Sequence, residues 1–150
     1  PTKLQGQVTL EGWTGPLAGR QVTVTVMTAG TDDVCSIESG PLDANGRFCI
    51  GTTVTGTQDV YIKASHWLQK KRALVIIGTL GANNIDVTLL NGDADHDNEV
   101  GIGDYSQLSA SYNENLGDVG YNAETDLNGD DAVDIADYAL LSANYGLAGD

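Results

Sequence analysis

Aspartates at alternate positions crowd two stretches of the C-terminal half, one starting at Asp93 and one at Asp126, which repeat each other at an offset of 33 residues. In the first, Asp93, Asp95 and Asp97 stand at places 1, 3 and 5, the Glu99 carbonyl at 7, Gly101 at 9 and Asp104 at 12. In the second, the same places hold Asp126, Asn128, Asp130, the Ala132 carbonyl, Asp134 and Asp137. A hard cation takes six to eight oxygens at about 2.3–2.6 Å, and a tight loop of alternating short acidic side chains delivers them from one side. The spacing predicts a calcium ion in each loop, two in all. Zinc fits less well, because no Cys or His pair stands at zinc-ligand spacing and Cys35 and Cys49 lie far from the loops.

The charge around these loops is one-sided. All seven Lys and Arg lie in residues 1–72 beside six acids, while residues 73–150 hold fifteen acids and no Lys or Arg, so that half is formally −15. Like charge at this density opposes compaction, and two calcium ions would offset four of the charges, so folding and metal binding are expected to be coupled. Nucleic acid is excluded as a partner, since its binder needs Lys or Arg to displace counterions from phosphate. Catalysis by a carboxylate pair, as in glycosidases, is also disfavoured, because nearly every acid of the tail already has a loop position and the chain lacks an aromatic cleft. His66 and His96 have no nucleophile at useful spacing. We therefore assign no catalytic residue and expect a chain that is not an enzyme.

The elements that must position the loops follow from periodicity. Residues 7–10, 21–27, 47–50, 59–64, 73–77 and 85–90 alternate apolar and polar residues as strands do, with Val22, Val24 and Val26 sharing one face. Nineteen glycines mark the turns, and Asn45-Gly46 after Asp43 is a hairpin signal. About seven short strands imply a β-sandwich over residues 1–90. Residues 91–150 form the second expected domain, a small all-α unit. Here each acidic loop leads into a helix with an apolar stripe, Tyr105, Leu108 and Tyr112 in one and Tyr138, Leu141 and Tyr145 in the other. The last sandwich strand runs straight into Asn91-Gly92-Asp93, which leaves no room for a helix before the first loop.

The series Gly6-Gln7-Val8, Gly15 to Val24 and Asp43 to Phe48 resembles the carboxypeptidase-regulatory-like, transthyretin-like β-sandwich. That resemblance implies a spacer or scaffold without activity of its own. A duplicated EF-hand-type calcium loop followed only by its exiting helix, with Asp at place 12, resembles the dockerin module. This implies calcium-dependent docking onto a protein partner such as a cohesin. Carried over residue by residue, it implies ligands from Asp93, Asp95, Asp97, Asp104, Asp126, Asn128, Asp130 and Asp137, and from the carbonyls of Glu99 and Ala132. Asp134 would orient a water, and Gly101 leaves that place to water alone. Left-handed backbone is expected at Asn98 and Asp131, where such loops usually carry glycine. Partner contacts in that family follow places 10 and 11 and the next helix, where this chain has Ile102-Gly103 and Ile135-Ala136.

Cys35 and Cys49, fourteen residues apart, are expected to form a disulfide in an oxidising compartment, a bridge that would add about 3 kcal/mol. The chain opens at Pro1 and its only methionine is Met27, as in a processed chain or an excised fragment. No apolar run approaches the roughly 20 residues that cross a bilayer, so no membrane insertion is expected. Together these features predict an extracellular, secreted or surface-attached, non-catalytic calcium-binding assembly protein. Its partner-binding surface is placed at Ile102, Tyr105, Ile135 and Tyr138. The partner is a cohesin-like domain or another copy of the chain; in the latter case unlike charge halves or strand addition would build a filament or surface layer. A weaker reading is sugar binding through Trp13 or Trp67. Lys70, Lys71 and Arg72, the densest basic run, would pair with the acidic tail of the same or another molecule.

Overall fold

The structure is a computed structural model that describes residues 2–150. Eight strands come first: β1 (Lys3–Leu10), β2 (Gln21–Thr28), β3 (Val34–Pro41), β4 (Arg47–Gly51), β5 (Gly56–Ala64), β6 (Lys70–Ile77), β7 (Gly81–Ala82) and β8 (Val87–Leu89). They form two sheets. In one, β1 pairs antiparallel with β4 and parallel with β7 and β8. The other is antiparallel throughout, in the order β3-β2-β5-β6. Alternation decides which faces meet: Leu4, Val8, Leu10, Phe48 and Ile50 of one sheet bury against Val22, Val24, Val26, Val60 and Ile62 of the other.

The sandwich expected from the sequence is present, with β3 and the two-residue β7 as the strands that alternation does not reveal. Almost all of β3 is exposed on both faces, so its residues carry no period. It is nonetheless paired along its length to the buried β2. The Asn45-Gly46 turn forms, with the Gly46 amide donating to the Asp43 carbonyl at 3.0 Å. It does not close a hairpin within one sheet, because β3 lies in one sheet and β4 in the other. The expected disulfide is corrected: both cysteines are free and exposed. Cys49 alternates with the buried Phe48 and Ile50 and faces outward beside Gln5, whereas Cys35 lies in the other sheet beside Thr28 and Gln58.

The expected all-α domain is corrected as well. After β8 the chain makes only two ten-residue helices, α1 (Ile102–Ser111) and α2 (Ile135–Asn144), set among loops. Their small core of Val100, Leu108, Leu127, Val133 and Leu141 is shared with Leu68, from the loop between β5 and β6. The helical region is therefore packed onto the sandwich, and no distinct all-α module is evident. No helix among the described residues is long and apolar enough to cross a membrane.

The basic run is used inside the chain. Lys71 reaches the buried Asp59 at 3.1 Å, and Lys70 lies 3.8 Å from Asp150. Asp59 also accepts the Gly30 and Leu74 amides at 3.0 Å each, which ties the β2–β3 turn to a bulge where Leu74 adopts φ 55. These amides, ahead of the Lys71 ammonium, hold its carboxyl down from 3.8 to about 2. A group with a depressed folded-state pKa stabilises fully above its unfolded value and loses that contribution as pH falls through the folded value. Asp59→Asn is therefore expected to lower the urea midpoint at neutral pH. Its deficit against the parent chain should shrink between about pH 4 and about pH 2, read by urea titration at each pH.

Candidate functional site

Each acidic loop is a series of turns closed by its own aspartates. In the first, Asp95 accepts the Asp97 amide at 3.2 Å, Asp97 the Glu99 amide at 2.9 Å and Asp93 Oδ2 the Asn98 amide at 3.2 Å. In the second, Asp126 accepts from Gly129, Asp130 and Asp131, and Asp130 from Ala132. Both loops need left-handed backbone at places 4 and 6. His96 and Asn98 take φ 65 and 66, and Gly129 and Asp131 take 73 and 66. Asn and Asp tolerate this region better than most residues, which accounts for Asn98 and Asp131 where glycine is usual.

The last aspartate of each loop doubles as a helix cap. Asp104 accepts the Asp95 amide at 3.0 Å and the Gly101 amide at 2.7 Å. Asp137 accepts the Leu127, Asn128 and Asp134 amides at 2.7, 3.2 and 2.8 Å. Both are fully buried. The loops are also interlocked. The segment after α2 bridges the first loop, through Val100 N–H to Leu147 O and Gly149 N–H to Asn98 O, both 2.8 Å. The segment after α1 bridges the second, through Leu116 N–H to Asp131 O at 2.8 Å and Val133 N–H to Glu114 O at 2.9 Å. These bonds flank Glu99 and Ala132, whose pairings with Ala148 and Asn115 use neighbouring backbone groups.

The carboxylates of Asp93, Asp95, Asp97 and Asp104 bring one oxygen each within 4.8 Å of one another, and so do Asp126, Asp130 and Asp137. Asn128 lies beside Asp130, its amide 3.2 Å from that carboxylate. Asp134 stands apart, its side chain capping α2 through the Ala136 amide at 3.0 Å. Burial, ahead of neighbouring charge, pushes Asp93 and Asp95 up and Asp137 up to about 6. Asp93 Oδ1 is buried and has no hydrogen-bond donor. An unpaired buried acceptor is costly. An all-oxygen cluster with one buried oxygen unclaimed fits a hard cation such as calcium.

The apolar stripes divide. Leu108 and Leu141 turn inward, with Asp104 and Ser111 on α1 and Asp137 and Asn144 on α2 completing the buried faces. Ile102, Tyr105, Ile135 and Tyr138 stay exposed, the two isoleucines at 69% and 66%. The Tyr105 and Tyr138 rings meet edge to face with centroids 5.9 Å apart, between shallow grooves that reach Tyr112 and Tyr145. The four residues assigned to a partner surface thus share one solvent-facing patch.

Several residues that support the loops carry no signal in the sequence. Asn91 is fully buried where the sandwich meets the loops. Its Nδ2 donates to the Glu11 carbonyl at 2.9 Å and the Leu127 carbonyl at 2.6 Å, and its carbonyl accepts from Asn144 at 2.8 Å. Its Oδ1, which can only accept, takes a hydrogen bond from His66 Nδ1 at 2.8 Å, and burial pushes the His66 ring down to about 4. Trp13 lies on Gly129, where a Cβ would come within 2.6 Å of the indole, and the Thr14 amide donates to the Asn128 carbonyl at 2.8 Å. Trp67 is wholly buried and stacked on His66, so it offers no platform to a sugar.

A two-sheet β-sandwich that runs directly into two acidic loop–helix repeats defines the class of this chain. Two solved chains have the same fold, from crystal structures of C-terminal and N-terminal interface mutants of the type II cohesin–X–dockerin complex of Acetivibrio cellulolyticus. Each match covers 99% of this chain and 98% of the other with a TM-score of 0.74, at 24% and 21% identity. No protein-family model matches the chain, and no curated protein does.

The family resemblance drawn from the sequence is corrected accordingly. The likeness extends as one piece over nearly the whole chain to a component of a cohesin-containing complex. A free-standing dockerin EF-hand module behind a carboxypeptidase-regulatory-like sandwich is not indicated. Because Asn91 joins the turn after β1, the β5–β6 loop, the second acidic loop and α2, Asn91→Ala is expected to strand several buried polar groups. A loss of about 2–4 kcal/mol in urea unfolding, with both halves of the chain melting earlier, is the expected outcome.

Proposed function

We propose that this chain is a non-catalytic protein–protein interaction component of an extracellular or cell-surface assembly. Its docking patch is formed by Ile102, Tyr105, Ile135 and Tyr138. The observation that carries this reading is that the acidic repeats, although their Leu108 and Leu141 are buried, hold equivalent isoleucines and tyrosines out in solvent side by side. Aromatic anchors that are already positioned lose little entropy on binding, which suits them to a protein interface. The likeness to a component of a cohesin–X–dockerin complex supports an assembly role.

We propose further that residues 91–150 form a functional unit on the sandwich of residues 1–90 and take up two calcium ions. Asp93, Asp95, Asp97, Asp104 and the Glu99 carbonyl would hold one, and Asp126, Asn128, Asp130, Asp137 and the Ala132 carbonyl the other. Calcium would supply positive charge to a half-chain of formal charge −15 and so hold the loops that orient α1 and α2.

Isothermal titration of the chelated chain should give two calcium sites, and calcium should raise its melting temperature. Incubated with secreted proteins of its source, the calcium-loaded chain should retain a partner that is lost with Tyr105→Ala/Tyr138→Ala and with chelator. Retention of the same partner by the double variant would place the docking surface elsewhere.

A further inference from the structure

The two acidic loops are equal in formal charge but not in surroundings. Residues 93–104 and 126–137 hold five acids each. Among the described residues the first loop alone receives a cation from the sandwich: Lys63 of β5 sets its ammonium 3.0 Å from Asp93 Oδ2. The same ammonium donates to the Ala64 carbonyl at 2.9 Å and the Ser65 carbonyl at 2.7 Å. Three donors thus meet three acceptors, so the charge is held in place and does not wander as on a free lysine. Asp93 gives one oxygen to Lys63 and keeps the other, Oδ1, buried and without a donor.

The matching carboxylate of the second loop has a neutral partner instead. Asp126 Oδ2 accepts the Tyr121 hydroxyl at 2.7 Å and the Asp131 amide at 3.0 Å. No lysine or arginine follows Arg72 in the sequence, and among the described residues no Lys or Arg forms an ion pair with the second loop.

We propose that Lys63 is a built-in competitor for the first cation site: its ammonium shares the Asp93 carboxylate with the bound ion, which makes the first loop the weaker of the two calcium sites. This rests on the reading that the loops take calcium. A fixed positive charge a few ångströms from a divalent ion repels it, with little screening because Asp93 is buried. In the metal-free chain the same ammonium is the charge that keeps the buried Asp93 carboxylate paired, and removing one partner of such a pair is destabilising. Lys63 therefore stabilises the empty loop more than the filled one. By linkage it lowers the calcium affinity of that loop by the same factor.

The test is calcium titration and thermal melting of the full chain as parent, Lys63→Met, Lys63→Gln and Lys63→Arg. The parent should show two unequal dissociation constants. Lys63→Met and Lys63→Gln should tighten the weaker one roughly tenfold and leave the other unchanged. Lys63→Arg, which keeps the charge, should stay near the parent. The Met and Gln variants should melt lower than the parent in chelator and gain more from calcium. A weaker or unchanged first site in both neutral variants would overturn the proposal and leave Lys63 as a tether for the loop. A parent chain that takes up no calcium would overturn the calcium reading itself, and this proposal with it.

Discussion

The buried amide of Asn91 is the constraint from which the arrangement of the molecule follows. Asn91 stands two residues before the first loop aspartate; its side chain meets the carbonyl of Glu11, the ring of His66 and the carbonyl of Leu127, and its main-chain carbonyl accepts from the Asn144 side chain. Glu11 adds a second tie, its carboxylate accepting from the Asn91 main-chain N–H at 3.2 Å and from Asn144 Nδ2 at 2.6 Å. Breaking any of these bonds would strand a buried polar group, so the geometry in which they close is strongly preferred over its neighbours, even though His66 Nε2 is left buried without a partner. That geometry fixes the sandwich, the second loop and the last helix relative to one another. The loops are consequently placed by the sandwich as well as by their own turns.

Electrostatics work against this arrangement, and the interlocked bridges oppose it locally. Each loop is bridged by the segment that follows the other loop's helix, so neither closes fully without both helices in place. Carboxylates are then forced together within 4.8 Å in two separate places. Removing these carboxylates from water is the larger cost: burial, ahead of neighbouring charge, pushes Asp93, Asp95 and Asp137 up. Backbone amides offset part of it, since Asp104 and Asp137 each accept from at least two of them. Amides carry only partial charge, and the remaining oxygen of Asp93 receives none.

Local chemistry was legible in the sequence, and long-range geometry was not. The alternation of aspartates identified both clusters because their ligand spacing is a property of twelve consecutive residues. The left-handed places at Asn98 and Asp131 could be read for the same reason. Strands with one buried face, such as β2, announced themselves through Val22, Val24 and Val26. β3 did not, because pairing to a buried neighbour orders it and its own side chains stay in solvent. A separation of fourteen residues and an oxidising compartment favour pairing the cysteines, but neither carries a record that β3 and β4 lie in different sheets. The apolar stripes of the helices were half right: a tyrosine counts as apolar in a periodic pattern, yet the buried face is completed by Asp104, Ser111, Asp137 and Asn144. Asn91, Glu11 and Lys63 act across gaps of 25 residues or more, and no window of sequence exposes them.

The repeat has a symmetric outer face and an asymmetric inner one. Outside, Ile102 and Tyr105 are matched by Ile135 and Tyr138 in type, exposure and place along the helix. Inside, the first loop rests on Lys63 and on the His66 carbonyl, which accepts the Asp93 amide at 2.9 Å, whereas the second rests on Trp13, Thr14 and Tyr121. Duplication of a loop–helix unit accounts for the outer likeness. A single sandwich cannot present the same surface to two copies at once, so the supports had to diverge. His96 and Gly129 record this at equivalent backbone positions: glycine stands where Trp13 leaves no room for a Cβ, and a histidine that pairs with Glu124 at 2.8 Å stands where the loop meets solvent. The inner contacts thus set how firmly each repeat is held, while the outer residues determine what the pair of helices presents.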